Sequence, residues 1–251
     1  MIYYFLQGEK MPHARSHRCF NCAESRLAGH YRTLKVYRTL NEDRLPEEVR
    51  EFYSRARNQV CNEAKWCTHK DDMEGTISHQ LHVAEVSASI ARQMQVDKDV
   101  FDRIKIAGWL HDCGKPSMDP DVLFKHGIFD EDEKRLIGKH PEAGAQIILD
   151  RLGQEWTDIA EIVLQHHECE DGSGYPFGLK GDQIRLEAKI IAVADIHCAL
   201  IERRCYKTSF SVRDAASFIL THKIKHHPDV ISAYLHVIEP HFHVHRKTLT
   251  F

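Results

Sequence analysis

Apolar positions along this chain of 251 residues recur with the period of a helix, segment after segment, from about residue 71 to about residue 239. In ISHQLHVAEVSASIARQM one face carries His79, Val83, Val86 and Ile90. In FDRIKIAGWLHD it carries Ile104, Ala107 and His111, and Gly114 is placed to end the helix. PEAGAQIILDRL starts directly after His140, with proline at its first helical position. WTDIAEIVLQHHE aligns Ile159, Ile162, Val163 and His166 on one stripe. RLEAKIIAVADIHCALIE is apolar on most sides, which predicts a central helix, and SVRDAASFIL and DVISAYLHVI follow it. Alternation with period two, the mark of a half-buried strand, shows only near the termini. The pattern predicts an all-α domain over 71–239.

The flanks have a different texture. Residues 1–70 are rich in Arg, Cys and His, with short helices predicted, one of them in LPEEVREFYSRARNQV behind Leu45 and Pro46. Residues 240–251 form a His-rich tail, and the chain shows no internal repeat or low-complexity tract. Composition is that of an ordinary globular protein, with 42% hydrophobic and 28% charged residues. A net charge of −3 argues against a strongly basic surface for nucleic-acid polymers. The apolar start MIYYFLQ is too short for a signal-peptide core, and no run approaches the ~20 apolar residues of a membrane span. Eight cysteines without a secretory signal predict reduced thiols in a cytoplasmic setting.

Histidine changes the picture, with 19 copies. His79, His111, His166 and Asp195 all fall on otherwise apolar helix faces. One buried histidine is ordinary core, but several converging with Asp112 and with Asp195 inside KIIAVAD need compensation. An unpaired buried carboxylate is expensive, and a divalent cation with neutral imidazole ligands removes that cost.

His79 is followed in order by HDCGK (111–115), HPEAGA (140–145), HHECEDGSGYP (166–176) and AVAD (192–195). This series resembles the HD-domain metal-dependent phosphohydrolases, and over about 71–239 it looks like their HD-GYP subfamily. The resemblance implies a helical bundle around a binuclear centre of two divalent ions, iron or manganese, preceded by a short divergent extension. His79, His111, Asp112 and Asp195 would hold one metal. His140, His166 and His167 would hold the other, with Asp112 bridging. The implied reaction is hydrolysis of cyclic di-GMP, or a related cyclic dinucleotide, to linear dinucleotide or GMP. The two ions would supply the hydroxide that attacks phosphorus, because coordination lowers the pKa of water to about 7. Lys115 would meet a phosphate oxygen. Gly174, Tyr175 and Pro176 would shape the substrate pocket and offer a surface for a signalling partner, and Arg204 matches a basic residue that the family tends to keep. A bacterial cytoplasmic signalling enzyme is the implied whole.

The chain departs from the family in places. Gly75 stands where some members carry a third-metal acid, with Glu74 one place off, so two metals are expected. Cys169 replaces a basic residue and Cys198 a second Asp, which leaves open a weak or silent cyclic-dinucleotide receptor, or action on another nucleotide. Cys19, Cys22, Cys61 and Cys67 can be read as a zinc site or as scattered thiols. His241, His243 and His245 read as a solvated tail. Residues 1–70 are too few, and lack the alternation, for a receiver domain.

Overall fold

The computed structural model describes residues 46–47, 50–51, 70–123, 125, 128–202 and 210–241, with the side chains of the first helix from residue 78 onward. The regular elements among the described residues are all helices, joined by turns and loops, without strands. In chain order the helices are α1 (Lys70–Gln93), α2 (Lys98–Leu110), α3 (Pro120–Leu123), α4 (Glu131–Ile137) and α5 (His140–Leu152). They continue with α6 (Thr157–Gln165), α7 (Leu186–Ile201), α8 (Val212–Thr221) and α9 (Pro228–Ile238).

Helix α7 is the axle. Every residue from Glu187 to Ile201 is buried, because α1, α2, α6, α8 and α9 all pack against it. Its fully buried Ile190, Ile191, Ile196 and Leu200 each contribute about 1.5–3 kcal/mol of transfer free energy. The apolar-all-round sequence therefore reports position correctly: no face of this helix meets water. Asp195 is carried into the interior by the same helix.

Two close crossings set where the ends of the other helices point. A Cβ on Gly108 would sit 2.9 Å from the Ala84 Cα, so α1 and α2 touch backbone to backbone there. A Cβ on Gly114 would lie 2.0 Å from the His140 carbonyl oxygen and 2.5 Å from the Gly144 nitrogen. The start of α5 thus lies directly on the turn that follows α2.

Gly114 corrects one expectation. Helix α2 stops at Leu110, four residues earlier, and Gly114 has φ −80°, an ordinary right-handed conformation rather than a left-handed cap. Its glycine is required by the close approach of α5. The proline of α5 is also one place further in than expected, since the helix begins at His140 itself. Helix α4 is an addition to the expected elements. Asp130 accepts from the Asp132 and Glu133 amides at 3.0 and 2.9 Å, and Glu133 accepts from the Asp130 amide at 2.9 Å. That reciprocal capping box is its start signal. Among the described residues no helix is long and apolar enough to cross a membrane.

Candidate metal centre

The helix ends now deliver their side chains to one place. His79 comes from the middle of α1, His111 and Asp112 from the turn after α2, and His140 from the first residue of α5. His166 and His167 follow the last residue of α6, and Asp195 lies inside α7. All seven are buried. Ligand atoms of Asp112, His140, His166 and His167 lie within 4.8 Å of one another, as do those of His79, His111 and Asp112, and those of His111, His166 and Asp195.

Three of these rings are held alike. His111, His140 and His166 place Nδ1 on the carbonyl of the third residue before, Gly108 at 2.7 Å, Ile137 at 2.7 Å and Val163 at 2.5 Å. A carbonyl only accepts, so Nδ1 carries the proton and Nε2 presents a lone pair inward. The His140 Nε2 then lies 3.4 Å from the His166 Nε2 and 3.0 Å from the His167 Nε2. His140 and His166 thus meet with two lone pairs and no proton between them; a cation satisfies them. The His111 Nε2 and the Asp112 Oδ1 are likewise buried without a hydrogen-bond partner, which fits the same filling.

Asp112 faces both halves. Its Oδ1 is 3.3 Å from the His140 Nε2, and its Oδ2 is 3.3 Å from the His111 Nε2. Lys115, from the short turn Lys115–Ser117, pairs its Nζ with Oδ2. Burial would raise the carboxyl pKa of Asp112, but His111, Lys115 and His140 outweigh it and hold it well below the usual range. Asp195 is also held low against burial, chiefly by its hydrogen bond with His79. The imidazoles go the other way. Burial lowers His140, takes His166 down to about 3 and drops His167 well below its ordinary value. Asp112 with His140, His166 and His167 is thus an anionic carboxylate among neutral imidazoles, the donor set that suits borderline divalent metals. His79 is the exception: burial opposes its charge, but Glu202 and Asp195 lift it to about 9.

The two adjacent histidines separate as a helix end allows. His166 stays on the helical path, its Nδ1 on the Val163 carbonyl, while the His167 ring stacks on it at 3.7 Å between centroids. Tyr175 then comes back against the His167 ring at 4.8 Å, with its amide donating to the His167 carbonyl at 3.2 Å. Gly174 is required there, because a Cβ would lie 2.4 Å from the Cys169 nitrogen and 2.5 Å from the Glu168 Cα. Pro176 follows, and Phe177 beyond it is 58% exposed.

Residues 41–229, about three quarters of the chain, match the HD domain. The chain belongs to the HD-domain family. Its HD domain is 34% identical over 178 residues to "Cyclic di-GMP phosphodiesterase response regulator RpfG" of Xanthomonas campestris pv. campestris, covering 71% of this chain and 47% of that protein. It is 32% identical over 149 residues to "3'3'-cGAMP-specific phosphodiesterase 1" of Vibrio cholerae, covering 59% of this chain and 34% of that protein. The chain therefore spans less than half the length of either relative. Among solved structures, Bd1817 of Bdellovibrio bacteriovorus, a HDG"Y"P protein, superposes with a TM-score of 0.54 over 65% of this chain and 52% of that one; at 22% identity this speaks for the shared fold. Divalent metal binding is what membership of the HD family implies, and the His/Asp cluster is built to accept it.

Two acids at the HD site lie outside the candidate set. Glu168 is buried and accepts from the Phe177 and Leu179 amides at 2.7 and 3.0 Å, so it ties the loop's far side back to its start. Glu202, just past α7, bonds His79 and His82. Neither contact is visible in periodicity; both are made through space. Cys169 and Cys198 are buried, and burial pushes the first thiol up to about 11 and the second well above its usual value. Both are uncharged near neutrality, so Cys169 supplies no cationic contact. Arg204, Cys19, Cys22, Cys61, Cys67, His243 and His245 lie outside the described residues, as does the side chain of Glu74.

Proposed function

We propose that residues 71–239 are the catalytic domain of an HD-GYP-type phosphodiesterase that hydrolyses cyclic di-GMP, or a related cyclic dinucleotide, to linear dinucleotide or GMP. The observation that carries this reading is the buried cluster in which the two oxygens of Asp112 face different sets of imidazoles. His79, His111, Asp112 and Asp195 hold one metal; Asp112, His140, His166 and His167 hold the other. Iron and manganese suit these ligands. Bound divalent cations polarise a phosphoryl group and bring the pKa of coordinated water towards 7.

The chain's own residues do the rest. The main-chain carbonyls behind His111, His140 and His166 fix their tautomers, so the donors need no reorganisation when loaded. Lys115 puts a positive charge beside Asp112, where a substrate phosphate would approach. Tyr175, anchored on His167, offers an aromatic face to a base, with Gly174 and Pro176 shaping the loop. Arg204 adds a basic substrate contact. The exposed end of the loop at Phe177 is the surface for a signalling partner, and residues 1–70 and 240–251 are extensions of the catalytic domain in a bacterial cytoplasmic protein. The names of the relatives support the substrate class.

The test is turnover. Protein purified anaerobically and loaded with iron or manganese is incubated with a panel of cyclic dinucleotides, and products are resolved by chromatography. Linear dinucleotide or GMP from the wild type, with none from Asp112→Ala, is expected. Tight dinucleotide binding with no turnover in either metal contradicts the reading.

A further inference from the structure

His79 differs from the other candidate ligands in what holds it. His111, His140 and His166 each lean on a main-chain carbonyl of their own segment. His79 instead turns its Nδ1 to a side chain far along the chain, the Oε2 of Glu202, at 2.9 Å. Ionised carboxylates only accept, so the ring donates from both nitrogens, Nδ1 to Glu202 and Nε2, the nitrogen directed at the cluster, to the Asp195 Oδ1 at 2.8 Å. A metal that displaced the Nε2 proton would leave the other on Nδ1, held by Glu202. Glu202 is buried, and its other oxygen lies 3.1 Å from the His82 Nδ1. His82 sits one helical turn beyond His79 on α1.

The placement follows from the chain. Glu202 caps α7, its amide bonded to the Cys198 carbonyl at 2.9 Å, seven residues after Asp195. Two turns of helix separate the two acids, so both lie along the same side of α7. That side grips one ring of α1 at both nitrogens, Asp195 at Nε2 and Glu202 at Nδ1. A carboxylate behind a ligating imidazole fixes the tautomer and ring plane and raises the basicity of the far nitrogen more than a carbonyl does. It also adds one negative charge close to where two divalent ions would concentrate positive charge.

We propose that Glu202 is a positioning residue for the metal held by His79. It selects the tautomer that presents Nε2, and by bonding His82 as well it holds α1 in register with the end of α7. This rests on the reading of His79 as a metal ligand. The first metal is therefore governed in part by a replaceable side chain, whereas His140 and His166 of the second lean on backbone. Loss of Glu202 weakens one metal and spares the other.

The experiment measures stepwise binding of Mn²⁺ to the full chain by titration against a chelator, with thermal unfolding of the metal-free protein alongside. The wild type, Glu202→Ala, Glu202→Gln, His82→Ala and, as a control, His140→Ala are compared. Binding of one Mn²⁺ is expected to weaken ~10–100-fold in Glu202→Ala, with the other unchanged. Glu202→Gln, which still accepts from Nδ1, recovers part of that loss, and His82→Ala loses less than Glu202→Ala. His140→Ala weakens the other step, which shows that the two steps resolve. Glu202→Ala with both affinities at wild-type strength overturns the proposal. So does an equal loss of both that tracks a fall in unfolding temperature. If Glu202→Ala does not fold, Glu202→Gln decides: equal weakening of both steps overturns the proposal, and selective weakening of one supports it. A wild type that binds no Mn²⁺ defeats the metal-centre reading itself, and this inference with it.

Discussion

Asp112 presents one carboxylate oxygen to His140 and the other to His111, and that division makes it the hinge of the site. Asp112→Asn keeps the shape but removes the charge and one acceptor, so bound metal should drop from two ions per chain and turnover should fall by more than ~100-fold. Elemental analysis with a product assay checks it; two ions at wild-type affinity would place the bridge elsewhere. Lys115 is expected to act differently. Lys115→Met should leave both metals bound while lowering turnover ~10–100-fold, because bound cations would keep Asp112 ionised without it, whereas the phosphate would lose its positive partner. At Gly174 the obstacle is backbone: an added methyl meets the Cys169 nitrogen and the Glu168 Cα. Gly174→Ala should cost about 1–3 kcal/mol in a denaturation curve and raise KM, with metal content retained. Unchanged stability and KM would mean that the loop gives way freely.

At the scale of elements, the periodicity of apolar residues placed α1, α2, α5, α6, α7, α8 and α9, because each turns an apolar stripe, or its whole surface, to the interior. Helix α4 carries few apolar residues, so its signal lay in the capping box of Asp130 and Glu133. That box makes a local prediction. Asp130→Ala should destabilise the protein by about 0.5–2 kcal/mol and leave metal binding alone; loss of metal would show that α4 supports the site. The site divides in the same way. The candidate ligands could be read because each lies in a short motif or on an apolar face. Glu202 could not, since 123 residues separate it from His79. Gly114 was legible as a glycine and misleading as a reason, because the crossing of α5 over it is a tertiary fact. Arg204 shows another limit: its motif position is plain, and its place in space lies outside the described residues.

For the whole molecule, the buried carboxylates and converging imidazoles join α1, α2, α5, α6 and α7 at one point, so metal binding should stabilise the entire fold. An ion that binds only the native state adds about 2.7 kcal/mol at a hundred times its Kd. Removing metal with a chelator should therefore lower Tm by several degrees, and Mn²⁺ should restore it; no shift would contradict a structural link between centre and bundle. The central claim is that the seven residues make one two-metal centre sharing Asp112. Anomalous diffraction from crystals of the metal-loaded protein tests it most directly. The prediction is two peaks, one among His79, His111, Asp112 and Asp195 and one among Asp112, His140, His166 and His167. A single peak, or peaks away from Asp112, would contradict it.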